Sequence, residues 1–471
     1  MNIKTKRIII QLKSTKIAAY LFRYLTHSYD KAIEANSVIK HQFLQFLPFL
    51  IASLITGIVA FSYSKIFHYA ERLSKYIFEK NSLFIFISTP VSFIISWWLV
   101  KRFASYAKGS GIPQVMASVE LAKPNSNHLI VNLLSVKIII IKIISSAIKV
   151  IGGGILGREG PTIQISSSIF NQTYLWLPKW WKPISQKNIL IAGAASGLAA
   201  AFNTPLGGII FAIEELSKFH IKHYKSPLFI AVIIAGLTAQ GLGGPYLYLG
   251  YPKTVFSGIV VYVGILTVSI VTGIFGSIMC RYLLKFLRFV NNRKTRVEQL
   301  GVVVLSGFIV ATSIYLVGPD AMGSGKELME RTLFTPHKGV EWYLPFVRMN
   351  GLIASFGMGG AGGIFAPSLS SGAGFGALIA QLLGLTNGNA NLLILIGMTG
   401  FLTAVTRAPF TSAIIIFEMT DRHSIIFFLL LGALIANIIA AIIEKHSFYD
   451  LLKENYLKEL QESSAREAQS Y

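Results

Sequence analysis

Apolar residues run along this chain in long blocks with almost no charge. Residues 43–67 carry none before Lys65, and 83–100, 256–280, 301–318 and 424–443 carry none at all. Each is close to the roughly 20 residues that cross a hydrocarbon core. Further apolar stretches lie at 129–156, 189–213, 228–250, 343–384 and 391–418. Together they predict ten or more helices. The runs are too long for strands and lack period-two alternation. The expected fold class is therefore all-α and polytopic, with the protein in a membrane.

Composition sharpens this picture. Of 471 residues, 53% are hydrophobic and 14% charged, and mean hydropathy is +0.58. A soluble chain carries about 25% charged residues. The formal charge of +22 does not imply nucleic acid, because the basic residues sit in short loops. Topology and anionic lipid account for them there, and a positive field also concentrates anions near a pore. The cluster Arg281, Lys285, Arg288, Arg293, Lys294 and Arg296 is expected on the cytoplasmic side, as is the basic arm 1–42, which lacks a secretory-signal pattern. The single cysteine, Cys280, excludes a disulfide framework and a multi-cysteine metal site. Trp176, Trp180 and Trp181 read as an interfacial anchor.

The chain repeats itself. Gly193-Ala-Ala-Ser-Gly-Leu-Ala-Ala-Ala-Phe-Asn-Thr-Pro205 resembles Gly397-Met-Thr-Gly-Phe-Leu-Thr-Ala-Val-Thr-Arg-Ala-Pro409 at an offset of 204. Pro205 and Pro409, and Glu214 and Glu418, share that offset. Upstream, Gly157-Arg-Glu-Gly-Pro161 and Gly363-Ile-Phe-Ala-Pro367 are 206 apart. Two homologous halves are expected, 43–250 and 251–450, arranged as inverted repeats with broken and re-entrant helices. Such repeats place substrate near the midplane. The remaining 451–471 reads as a short polar cytoplasmic tail, helical or frayed.

Three segments share one grammar: Gly109-Ser-Gly-Ile-Pro113, Gly157-Arg-Glu-Gly-Pro161 and Gly363-Ile-Phe-Ala-Pro367. Proline suits a first helical turn, where its missing N–H costs nothing. Glycine allows close approach of backbone to a ligand. Each segment can open a helix whose amino end faces the protein interior, where exposed N–H groups favour an anion. Lipid tolerates such breaks only around a cavity. The competing explanation, that Gly and Pro merely kink helices, does not account for three segments of which two are repeat-related.

These residues resemble the CLC family of chloride channels and chloride/proton exchangers. The three segments match its signature stretches, and Arg407-Ala-Pro-Phe and Phe417-Glu-Met-Thr are similar to it as well. The resemblance covers about residues 45–455. It implies an anion site built by Ser110, Gly111 and Ile112, by backbone N–H groups of Ile364 and Phe365, and by the hydroxyl of Tyr449. Arg158 and Gly160 would form the position just outside it. Glu159 is implied to be the gating glutamate, which blocks the path when ionised and releases it when protonated. Glu215 is implied to be the internal proton glutamate; a bland alternative pairs it with Lys218 or Lys222. Glu214 and Glu418 read as structural, bonded to backbone. Lys142 and Lys149 either raise the potential near the path or snorkel to an interface. Gln114 departs from a common acid after GSGIP and is expected to disturb only peripheral contacts.

The implied activity is chloride/proton antiport, with a passive chloride channel of the same fold as the alternative. Partners are chloride, membrane lipid and a second copy in a homodimer, with no nucleic acid. No cofactor and no metal are expected: Gly323-Ser-Gly-Lys326 departs from a phosphate loop at Asp320 and Glu327, and His220 and His223 read as solvated. The family's nucleotide-binding CBS pair has no counterpart in these residues. An intramembrane enzyme finds no nucleophile–base pair, and a fluoride-exporting relative would be expected to depart from the serine motif. A bacterial inner membrane with both termini cytoplasmic is the expected location.

Overall fold

The computed structural model describes residues 37–469, apart from 179, 182, 218–224, 245–246, 294, 337 and 421–422. Residues 1–36 of the expected arm, together with Lys218, Lys222, His220, His223 and Lys294, therefore lie outside the described residues. The described chain is almost wholly helical. The first half contains α1 (Ser37–Lys80), α2 (Ile85–Phe103), α3 (Ile112–Leu121), α4 (Ile130–Leu133), α5 (Val136–Ile151), α6 (Glu159–Trp176), α7 (Gln186–Phe202), α8 (Pro205–Phe211) and α9 (Lys225–Gly243). The second contains α10 (Ile259–Asn291), α11 (Arg296–Val317), α12 (Lys326–Phe334), α13 (Leu344–Gly357), α14 (Phe365–Leu382), α15 (Asn387–Thr406), α16 (Pro409–Thr420) and α17 (Ile426–Ile443), and α18 (Phe448–Gln469) follows.

Among the described residues, eight helices are long and apolar enough to cross a membrane. Their exposure differs. α15 is almost entirely buried in protein, while α17 turns most of its apolar surface outward. α15 is thus a core helix and α17 a lipid-facing one. Others are too short to span: α3 has 10 residues, about 15 Å at 1.5 Å per residue. α8 has 7 residues and runs into a π-helical turn, Ala212–Leu216. α3 is the broken helix that the first Gly-Pro segment predicts, and α8 follows Pro205 of the repeated block.

The repeat is visible in the backbone. α6 and α14 each have 18 residues and begin 206 residues apart. α7 and α15 both end on a non-glycine residue in the left-handed region, Asn203 (φ 58°) and Arg407 (φ 65°). A proline then opens the next helix in each half. The two halves clasp each other through swapped carboxylates. Glu214 accepts from Thr411 N and Thr411 Oγ1 at 2.7 Å each and from Phe410 N at 3.3 Å, capping α16. Glu418 accepts from Leu206 N at 3.0 Å and Gly207 N at 2.6 Å, capping α8. Each acid satisfies amides that a helix start leaves orphaned, and the reciprocity is what a two-fold axis between inverted halves requires.

Small residues let the inner helices touch. A Cβ on Gly372 would lie 2.2 Å from the Gly397 carbonyl, and one on Gly397 would lie 2.3 Å from the Gly372 carbonyl. α14 and α15 therefore meet backbone to backbone, the close approach that small residues permit within membranes.

As far as Gln469 the polar tail is helical. α18 docks beneath α3, with Tyr456 and Leu460 only 8% and 0% exposed. Lys453 reaches Glu120 at 3.2 Å and Lys108 reaches Glu459 at 3.5 Å. The physical reason is an apolar stripe at helical spacing (Tyr449, Leu452, Tyr456, Leu460) hidden in a polar composition. The tryptophan cluster also divides. Trp176 and Trp180 are exposed, while Trp181 is buried and donates to the Leu44 carbonyl at 3.0 Å.

Candidate functional site

The three Gly-Pro segments meet. Gly157 and Gly363 exchange two backbone hydrogen bonds, at 2.8 and 2.7 Å, forming an isolated antiparallel bridge. Gly109 donates to Gly360 O at 2.9 Å and accepts from Gly362 N at 3.1 Å. This knot aims the starts of α3, α6 and α14 at one centre. Their caps are Gly111 (φ 101°), Arg158 and Ile364, and none of these side chains caps its helix. The first N–H groups of the three helices are thus left for something else.

Side chains crowd the same point. A Cβ on Gly160 would lie 2.1 Å from Ser110 Oγ, so only glycine fits there. Ser110 and Tyr449 are 1% and 0% exposed. Their hydroxyls lie close enough to interact, yet neither oxygen has a partner of hydrogen-bond geometry. Buried hydroxyls are normally satisfied. Two that are not, with the Tyr449 ring 6.2 Å from that of Phe365 at the start of α14, mark a donor-rich and charge-poor centre. Gly111 and Ile112 carry Ser110 into it.

Glu159 is fully buried. Its carboxylate lies against the amides of its own residue and of Ala366, at the starts of α6 and α14. Tyr248 Oη donates to its Oε1 at 3.4 Å. On one side of Glu159 a cavity of about 240 Å³, lined by Lys65, His68, Glu71, Arg158, Tyr248 and Lys326 among others, opens outward. A separate cavity of about 90 Å³ reaches Ser110 between Gln114, Arg288 and Tyr456. An aromatic series links the two levels: Tyr248–Phe202 (5.2 Å between centroids), Phe202–Phe365 (6.3 Å) and Phe365–Tyr449 (6.2 Å).

Glu215 stands apart from the helix starts, on the π-helical turn after α8. It is 9% exposed, and both it and Glu159 lie within electrostatic reach of Tyr449. Neither lysine of α5 snorkels, because both are fully buried. Lys142 donates to Gln164 Oε1 at 2.6 Å, and its Nζ would lie 3.1 Å from a Cβ on Gly111. The Lys149 amine lies against Gly360 with the Phe93 ring centroid at 5.9 Å.

Gln114 is less peripheral than its chemistry suggested. It is buried and donates to the carbonyls of Tyr106 (3.1 Å) and Lys108 (2.7 Å) and to Tyr456 Oη (3.2 Å). It fixes the loop entering the serine motif. The turn at Gly323–Lys326 is no phosphate loop, because Glu71 Oε1 fills it, accepting from Ser324 N at 2.9 Å and Ser324 Oγ at 2.7 Å. Among the described residues no group of His, Cys, Asp and Glu could hold a metal ion. Sequence reasoning missed Tyr248, which carries no motif, and Gln164, which a helical count from Glu159 places on the motif's own helix.

Fold and site define an integral, multi-pass membrane protein whose broken helices point uncapped amino ends into a closed centre. Residues 91–441 match the voltage gated chloride channel family, and the chain belongs to that family. It is similar to the H(+)/Cl(-) exchange transporter ClcA of Klebsiella pneumoniae (strain 342), 28% identical over 397 residues, covering 82% of this chain and 81% of that protein. The protein of the same name from Citrobacter koseri is 25% identical, covering 89% of this chain and 90% of its own length. Among solved structures, a slow cyanobacterial Cl-/H+ antiporter shares the fold with a TM-score of 0.73 at 24% identity, covering 88% of this chain and 98% of that one. A CLC-type fluoride/proton antiporter does so at 0.72 and 19%, covering 89% and 99%.

Proposed function

We propose that this protein moves chloride across the membrane in exchange for protons. The observation that carries the reading is one line of groups: a buried carboxylate, Glu159, at two helix starts, followed by two buried hydroxyls without partners, Ser110 and Tyr449. Chloride needs donors more than cations, and neutral donors bind it without holding it too tightly to leave. The hydroxyls of Ser110 and Tyr449 and the amides of Ile364 and Phe365 bind the central anion. The amides near Arg158 and Gly160 serve the adjacent position.

An ionised Glu159 competes with chloride for the same two helix starts, those of α6 and α14, and closes the path. Protonation removes that attraction, the side chain leaves, and anion and proton movements become linked at one residue. Glu215 relays the proton to the opposite face. A passive channel of this fold would have no use for a buried acid there. The reading also makes the protein a homodimer with one path per protomer, in a bacterial inner membrane. Both termini are then cytoplasmic, and the basic ends of α10 and α11 meet anionic lipid.

The test uses purified protein in liposomes with an outward chloride gradient, no pH gradient and a clamped membrane potential. Chloride efflux is expected to drive protons uphill into the liposomes. In Glu159→Ala, chloride flux persists and proton movement stops. Chloride flux without proton movement in the unaltered protein contradicts the proposal.

A further inference from the structure

Tyr248 lies at the very end of the first half, outside its helices. It sits in the connection between α9 and α10. It is nevertheless 2% exposed and lines the cavity that opens onto Glu159. Its ring is held on two sides, by Phe202 with centroids 5.2 Å apart and by Lys326 Nζ 4.9 Å over its face, and the next residue is pinned by Leu249 N donating to Met419 O at 3.2 Å. Its hydroxyl points at the Glu159 carboxylate, 3.4 Å from Oε1.

We infer that Tyr248 is a positioning residue for the gate, its hydroxyl holding the Glu159 carboxylate in the position that blocks the path. The inference rests on Glu159 acting as the proton-operated gate. A phenol is a neutral donor, so it favours the ionised carboxylate that accepts from it, while a protonated carboxyl keeps less of that bond. Because the ring is anchored, the hydroxyl stays behind when Glu159 swings away. The connection between the halves thereby helps set the pH at which the gate opens. The charged and titratable groups facing Glu159 here are Arg158 on its own motif, Lys65, His68 and Glu71 on α1, and Lys326 on α12, with the phenols of Tyr63 on α1 and Tyr449 on α18 also within electrostatic reach. Tyr248→Phe alters none of these charges and removes a single oxygen.

The experiment measures chloride flux in liposomes against pH on the Glu159 side for four proteins: unaltered, Tyr248→Phe, Glu159→Gln and the double variant. Tyr248→Phe is expected to move the half-activation point to higher pH by about 0.5 unit, or threefold in proton concentration. The sign follows because without the hydroxyl the ionised, blocking form is less favoured, so fewer protons suffice to open the path. Glu159→Gln is expected to be flat with pH, and the double variant to match it, since no carboxylate remains to be held. A Tyr248→Phe profile that coincides with the unaltered one overturns the inference. So does a change of equal size in the Glu159→Gln background, which would make Tyr248 a packing residue. If Glu159→Gln itself keeps the normal profile, the gate reading fails first, and separately.

Discussion

Ser110→Ala should weaken chloride binding without weakening the empty protein. The reasoning starts from the unpartnered oxygen: Ser110 Oγ is buried and bonded to nothing else among the described residues. Deleting it leaves no protein donor or acceptor stranded, and removing an unsatisfied buried hydroxyl is neutral or mildly stabilising. In the proposed site the anion loses one of four donors, the other three being Tyr449 Oη and the amides of Ile364 and Phe365. A hydrogen bond to a charged partner contributes about 1.5 kcal/mol at the lower end of its range, which corresponds to about tenfold in affinity. Calorimetric titration of chloride into protein held in a chloride-free buffer reads this directly. Thermal unfolding in detergent supplies the second half, because stabilisation by a ligand follows its dissociation constant. At saturating chloride the variant should gain about 1.4 kcal/mol less than the unaltered protein, and without chloride the two should coincide. An affinity unchanged within about twofold, less than about 0.4 kcal/mol, would refute the assignment of the hydroxyl. Destabilisation of the chloride-free variant would show that Ser110 is part of the scaffold instead.

Other outcomes follow from the same geometry. Glu159→Gln should transport chloride at a rate independent of pH and carry no protons, as read by simultaneous chloride and pH electrodes. Glu214→Ala and Glu418→Ala should each cost about 1–2 kcal/mol in unfolding experiments, the usual worth of a lost helix cap. Because the caps are reciprocal, the two costs should be similar, and a loss at one site only would contradict the symmetry. Gly372→Ala puts a methyl 2.2 Å from a backbone carbonyl and should cost about 2–3 kcal/mol, visible as a lower melting temperature or a lower yield of folded protein.

Much of this architecture is legible in the chain because two strong signals are carried by residue type and spacing alone. Charge-free runs report lipid, and a 204-residue offset between Pro205 and Pro409 reports duplication. The glycine and proline motifs are legible for a related reason: at Gly160 a side chain would overlap Ser110, so local sequence carries a tertiary constraint. The same logic does not reach Tyr248. Its hydroxyl meets Glu159 across 89 residues, and no pattern within its own loop foretells that. Lys149 was equally ambiguous, since a lysine on an apolar helix reads the same whether its amine escapes to an interface or is enclosed. Only the packing of Phe93 and Gly360 around it decides. The docking of α18 was hidden by composition, its few apolar residues gaining meaning once α3 lies beside them.

The central claim is that chloride and protons share one path and are linked at Glu159. The most direct measurement is the reversal potential of the purified protein in a planar bilayer, with equal chloride and a pH gradient across the membrane. Coupled exchange predicts a reversal potential displaced from zero, in the direction set by the proton gradient, and a return to zero in Glu159→Ala. A reversal potential that stays at zero in the unaltered protein, with chloride current flowing, would contradict the account and leave a passive chloride pore.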